Sequence, residues 1–281
     1  LSKPGSGSSN SPLRSKRSLR KMVREEAEKD FAGTMSKVKD MGYDGVELAG
    51  TYGLSFGELK KTLAEVGLIP ISAHVPYAQL VEDLENTVFN YSNLGCQYIV
   101  VPYLVEEDRP EAGNFDKVVD NIRKIAEHCK TKGVTLLYHN HDFEFLRMED
   151  GKYALDYLYD SVSADLLKTE IDTCWVNVAG EDPVEYLKKY TGRSPIVHIK
   201  DFVGGKSENM YQLIGIDSEE NKNEEKCAFR PVGYGVQDGP AIVEASIEVG
   251  AEWVVVEQDM HYENTPLEDA KISIDYLSKL L

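Results

Sequence analysis

A chain of 281 residues, 42% hydrophobic and 28% charged, has the composition of a globular protein with a substantial core. The net charge is −17, and it is uneven: residues 1–24 hold seven Lys/Arg and no acid, leaving 24 basic against 48 acidic side chains, a net of −24, on the remainder. Such a body repels nucleic-acid phosphates and tolerates cations. No stretch approaches the roughly 18 uninterrupted apolar residues of a membrane span, so neither nucleic acid nor membrane is expected as a partner.

The chain opens with "LSKPGSGSSNSPLRSKRSLRK", Gly/Ser-containing and then basic, without the apolar centre of a signal peptide. Residues 1–24 are expected to be a disordered, processed or altered end, and residues 25–281 a single domain. A cytoplasmic location is the expectation, with a periplasmic or secreted one after processing left open.

From Asp44 onward, short β-branched runs alternate with amphipathic stretches. Strands are expected at 45–50, 70–75, 98–104, 135–141, 168–174, 195–201 and 253–259. Between them, "SFGELKKTLAEVG", "QLVEDLENTVFNYSNLG", "DKVVDNIRKIAEHCKTKG", "DPVEYLKKY" and "GPAIVEASIEVG" repeat apolar residues at helical spacing. Gly42, Gly67, Gly95, Gly133 and Gly250 follow helices, where a C′ glycine belongs.

Strand–helix alternation with almost continuously apolar strands predicts a parallel sheet covered by helices. Polar residues collect at the strands' C-terminal ends and no Gly-rich phosphate loop follows any strand, which favours an α/β fold of the (β/α)₈ TIM-barrel type over a dinucleotide-binding sheet. The first strand is missing from this reading. It belongs before "EEAEKDFAGTMSKVKDMG", yet residues 11–21, "SPLRSKRSLRK", look too basic to be buried between barrel neighbours. Either the barrel opens there, or that end is altered or partnered. A long hydrophilic insertion at about 203–238 is suited to shaping a substrate pocket or a homodimer contact.

The strand ends carry Glu47, His74, His139 with His141 and Glu144, then Asp172, His198 and Glu257. Converging on one barrel mouth, these groups would repel one another unless protonated or bound to a cation. Mixed imidazole and carboxylate ligation suits Mn, Zn, Co or Fe better than Ca. The four cysteines show no close pairing; Cys174, beside Asp172, reads as a small strand-end hydrophobe rather than a nucleophile.

"GYDGVELAG", "YHNHDFEF", "EIDTCWV", "HIKDF", "PVGYGV" and "VVVEQD" resemble the sugar phosphate isomerase/epimerase family, the xylose isomerase-like barrels that include inosose dehydratases, ketose 3-epimerases and endonuclease IV-type enzymes. The resemblance covers about residues 28–281. It implies one divalent metal (Mn, Zn, Co, Fe or Mg) held by Asp172, His198 and Glu257. The family's strand-five glutamate falls, counting from Gly133, at His139. Glu144, His139 and His141 are therefore the candidates for the fourth ligand, and Glu144 is preferred because it keeps the family's charge balance.

The resemblance implies an isomerase, epimerase, dehydratase or lyase acting on a sugar, keto sugar or cyclitol by proton abstraction beside a carbonyl. Displacement of the strand-five glutamate favours elimination over simple epimerisation. Candidate catalytic groups are His139, His141, Glu257 and Lys200; candidate substrate contacts are Glu47, His74, Tyr103 and Trp175. Lys200 and Asp201 are expected to form an ion pair at the rim, and Arg193 to be structural. A non-catalytic sugar-binding or partner barrel is the alternative. A metal-dependent DNA endonuclease fits less well, for want of further His/Asp ligands and a basic groove.

Overall fold

The computed structural model describes residues 16–20, 22–205 and 227–281. Eight parallel strands close into a barrel: β1 (Lys16–Arg20), β2 (Gly45–Leu48), β3 (Ile69–His74), β4 (Tyr98–Val101), β5 (Thr135–His139), β6 (Leu167–Asp172), β7 (Ile196–Ile199) and β10 (Trp253–Glu257). Between the last two, β8 (Asp201–Gly204) and β9 (Cys227–Arg230) form an antiparallel pair apart from the barrel. The acid-rich tip of the expected insertion lies outside the described residues.

The first strand is present, against expectation. Residues 16–20 pair in parallel with β10 on one side and β2 on the other, closing the ring within the segment set apart as a basic tail; residues 1–15 lie outside the described residues. Among the described side chains of this strand, Ser18 and Leu19 are the buried ones. Lys16 is exposed, with its ammonium 5.2 Å from the Trp253 ring centre, while Arg17 donates to Ser278 Oγ at 2.7 Å and lies 3.6 Å from Asp44. Long basic side chains bury their stems and keep their charges at the rim. A count of charges therefore misjudged a strand whose Lys16 and Arg17 keep their charges at the rim.

Helices wrap the outside: α1 (Arg24–Lys29), α2 (Phe31–Asp40), α3 (Phe56–Val66), α4 (Tyr77–Glu82), α5 (Leu84–Leu94), α6 (Phe115–Thr131), α7 (Ala154–Ser161), α8 (Thr173–Val178), α9 (Pro183–Lys189), α10 (Gly239–Glu248) and α11 (Pro266–Leu277). Ser55 with Glu58 and Thr265 with Glu268 form reciprocal capping boxes that start α3 and α11. The single helix read over 79–95 is two, α4 and α5, because Asp83 takes a non-helical backbone (φ −137°, ψ 64°).

A small interior cluster of Ile71, Tyr98, Val100, Leu137, Ile196, Trp253 and Val255 fills the barrel below its mouth. Space is tight there: a Cβ on Gly45 would sit 2.7 Å from the Ile69 carbonyl oxygen and 3.1 Å from Trp253. The larger core lies between strands and helices. Arg193 is structural, its guanidinium donating to the carbonyls of Leu167, Tyr159 and Val162 at 3.0, 2.7 and 2.7 Å.

Candidate active site

Side chains two apart on a strand share a face, and above the apolar plug that face turns polar. Glu47 from β2, His74 from β3, His139 from β5, Glu170 and Asp172 from β6, His198 from β7 and Glu257 from β10 all point inward and are buried. All but Glu47 form two overlapping sets of four metal-competent donors, each set lying within 4.8 Å: His139, Asp172, His198 and Glu257 toward the mouth, and His74, His139, Glu170 and His198 deeper.

In the outer set, His198 Nδ1 lies 2.9 Å from Glu257 Oε2 and His139 Nε2 lies 3.7 Å from Asp172 Oδ2. Asp172 divides its oxygens. Oδ1 caps α8, accepting from Cys174 N at 2.8 Å and Trp175 N at 3.2 Å, whereas Oδ2 is buried without a hydrogen bond. A bare carboxylate oxygen is costly in a protein interior. With two imidazoles and a second carboxylate around it, Oδ2 fits a divalent transition-metal ion.

In the inner set, His74 Nε2 is 2.6 Å and His139 Nδ1 is 3.1 Å from Glu170 Oε2. Glu47 Oε1 lies 2.9 Å from His74 Nε2 and 3.0 Å from His198 Nε2, and Ser72 donates to Glu47 Oε2 at 2.6 Å.

Glu144 stands apart from both sets: it accepts from the Tyr138 hydroxyl at 2.7 Å and the His141 backbone at 2.8 Å. His139 occupies the strand-five place instead. Lys200 pairs with Asp259 rather than Asp201, and its ammonium lies 3.9 Å from Glu257 Oε1. Asp201 accepts from the backbone of Gly233, Gly235 and Gln237, at 2.9, 2.9 and 3.1 Å, which explains the "PVGYGV" glycines: a Cβ on Gly235 would meet the Asp201 carboxylate at 2.1 Å.

A cavity of about 370 Å³ opens over this layer, lined by His74, Tyr103, His141, Lys200, Glu257 and Asp259 among others. Of the expected substrate contacts, His74 and Tyr103 reach it. Trp175 is fully buried beside His141 and Lys200, 5.0 Å from the imidazole and 5.3 Å from the ammonium, and Glu47 lies below the cavity.

Burial and the charge of His198 hold His139 well below the ordinary imidazole range. For His198, burial is outweighed by Glu170 and Glu47, which push its pKa well up. Burial likewise opposes, but does not overcome, the pull of His74 and His198 that keeps Glu47 well below the usual carboxylate range. Lys200 is desolvated too, yet Asp259, Glu257 and Asp172 raise it. Burial lifts Asp172 to about 7 against the pull of Lys200, lifts Glu144 to about 8, and takes the Cys174 thiol well up, as befits an inert packing group.

Glu170, Asn140 and Asp259 were not singled out from the sequence. Glu170 had a signal: in "KTEIDTC" it stands two before Asp172 and shares its face.

The chain matches the xylose isomerase-like TIM barrel family model over residues 35–280. An inosose dehydratase of Bacillus cereus (strain AH820) is 26% identical over 204 residues, 62% of this chain and 64% of that protein, so the match spans under two thirds of that relative. The fold is similar to a sugar phosphate isomerase/epimerase from Parabacteroides distasonis ATCC 8503, with a TM-score of 0.74 at 21% identity over 98% of this chain and 97% of that one. It is also similar to the IolI protein with a binding zinc atom, with a TM-score of 0.70 at 18% identity over 95% and 99%. Among the described residues, no helix is long and apolar enough to cross a membrane. The chain belongs to the xylose isomerase-like TIM barrel family.

Proposed function

We propose that this barrel is a divalent-metal-dependent enzyme that removes a proton beside the carbonyl of a sugar, keto sugar or cyclitol, and that elimination of water is its reaction. The observation that carries this is the convergence of His139, Asp172, His198 and Glu257 from four strands, with Asp172 Oδ2 buried and without a hydrogen bond among them. The inosose dehydratase relative and the imidazole at the strand-five position both support dehydration over epimerisation.

These four residues are the proposed ligands, His139 taking the place first given to Glu144. A bound divalent ion supplies a Lewis acid that polarises a carbonyl or hydroxyl oxygen and acidifies the neighbouring C–H. His141, on the cavity wall between Tyr103 (5.0 Å) and Trp175 (5.0 Å), is the proposed proton acceptor, returning the proton to the departing hydroxyl. Lys200, held protonated by Asp259 and Glu257, donates to the oxygen on which negative charge develops. Tyr103 bounds the cavity and positions the ring; a monosaccharide-sized substrate suits the volume.

Elemental analysis of protein purified without chelator tests the reading, alongside Asp172→Ala and His198→Ala. One Mn, Zn, Co or Fe per chain, lost in both variants, is expected. Absence of metal, with no thermal stabilisation by any added divalent ion, would leave a barrel that binds sugars without transforming them.

A further inference from the structure

Aromatic rings enclose the proposed proton acceptor. Tyr103 meets the His141 imidazole edge-on at 5.0 Å, Phe143 lies parallel to it at 5.7 Å, and Trp175 is tilted at 5.0 Å. Tyr103 follows β4, and Phe143 stands in the 3₁₀ turn Phe143–Phe145 that follows β5. Those two strands pair side by side, so the enclosure draws on adjacent loops at the barrel mouth. Edge-to-face and offset-stacked packing are both favourable, so ring contacts alone do not choose one placement of these loops.

Arg109 ties the two loops together. It is buried, between the 3₁₀ turns Glu106–Asp108 and Pro110–Ala112. Its Nε donates to the Leu104 carbonyl at 3.1 Å, and one terminal nitrogen donates to the Tyr103 hydroxyl. The guanidinium carbon also stands 5.1 Å from the Tyr103 ring centre and 4.5 Å from that of Phe143. A guanidinium does both because its N–H groups form a fixed planar fork while its face stacks on aromatic rings. A lysine ammonium is a point charge and offers no such fork. Tyr103 and Phe143 are thereby held 5.6 Å apart and nearly perpendicular, at 87°. Tyr103 and His141 line the cavity, whereas Arg109 does not.

We infer that Arg109 is a positioning residue: it clamps Tyr103 to Phe143, and through these rings it fixes where His141 stands over the cavity. It acts without touching substrate. Its consequence for turnover rests on the reading of His141 as proton acceptor, while the clamp is tested apart from that reading. A reacting group displaced by about 1 Å can cost about 10²-fold in rate.

The first measurement is NMR of the aromatic and guanidinium protons in the wild type. Nuclear Overhauser contacts from the His141 ring protons to Tyr103 and Phe143 are expected, with a slowly exchanging Arg109 Nε–H. Their absence would overturn the inference. The second compares Arg109→Lys, which keeps the charge, with Arg109→Met, which keeps only the stem. In both, the His141 ring signals should shift and lose contacts to Tyr103 or Phe143. His128 on α6 and His261 after β10 should keep their signals, which a general loosening of the fold would not allow. With the cyclitol ketone 2-keto-myo-inositol as probe, turnover should fall about 10²-fold in Arg109→Met. Wild-type His141 signals and contacts in a folded Arg109→Met would overturn the clamp, whatever the turnover. A displaced His141 with unchanged turnover would leave the clamp standing and remove His141 from the chemistry. If the wild type does not turn over the probe, the His141 signals of the variants decide; if neither variant folds, the wild-type contacts decide.

Discussion

Asn140 grips the backbone of Asp172 from both sides: its Oδ1 accepts from Asp172 N at 2.9 Å, and its Nδ2 donates to Asp172 O at 3.3 Å. Both residues are fully buried, and the grip ties the end of β6 to the loop that follows β5. Asn140 lies between the two histidines of "YHNH" and has a different task from either. It sets where Asp172 stands.

Asn140→Ala is expected to strip two buried backbone groups of their partners, each worth about 1–3 kcal/mol when left unsatisfied. Urea unfolding should show the loss, and metal titration should show weaker binding because Asp172 is no longer fixed. Unchanged metal affinity in the folded variant would mean that Asp172 is held by its helix cap alone.

Glu144 supplies a pH dependence. Burial raises its pKa from the ordinary 4.5 to about 8, so between those values the folded state keeps a proton that the unfolded chain has released. That contribution to stability is complete below 4.5 and is lost as pH rises toward 8. Glu144→Gln keeps the shape and can still accept from His141 N and bond to Tyr138. Its urea midpoint should gain on that of the wild type steadily from pH 5 to pH 8. A constant gap between the two proteins across that range would refute the assignment.

Lys200→Met should fold less stably and turn over far more slowly. The Asp259 carboxylate, only 2% exposed, loses the Lys200 ammonium, and breaking a buried pair costs about 3–5 kcal/mol. Removing a donor aimed at a developing oxyanion lowers kcat by about 10²–10³-fold. Steady-state kinetics on the wild-type substrate separate the two effects, because the proposed role predicts a fall in kcat with KM little changed. Pairing it with Asp259→Asn should recover stability but not kcat.

The first strand is open to a simple check. Leu19 is 2% exposed and packs in the layer between barrel and helices. Leu19→Ala should cost about 2–5 kcal/mol, as for other buried leucines. A change near zero by denaturant unfolding would mean that residues 16–20 do not close the barrel.

Much of this protein was legible along the chain. Alternating β-branched and amphipathic runs determined the strand–helix repeat, because burial on both faces of a parallel strand and on one stripe of a helix imposes two different periods. The acids and imidazoles at strand ends determined that a polar mouth exists, and Asp172, His198 and Glu257 could be named because each follows an apolar run on its own strand. The tertiary structure decided what local pattern cannot express. Ring closure placed β1 between β10 and β2, where rim-directed Lys16 and Arg17 keep their charges out of the core. It brought Glu170 and Glu47 to 2.6 and 2.9 Å from His74 Nε2, and it engaged Glu144 with Tyr138 while leaving Asp172 Oδ2 bare. Those choices depend on contacts between strands 25 to nearly 100 residues apart in sequence, such as Glu47 with Ser72 and His74 with Glu170. Only the closed barrel fixes such distances.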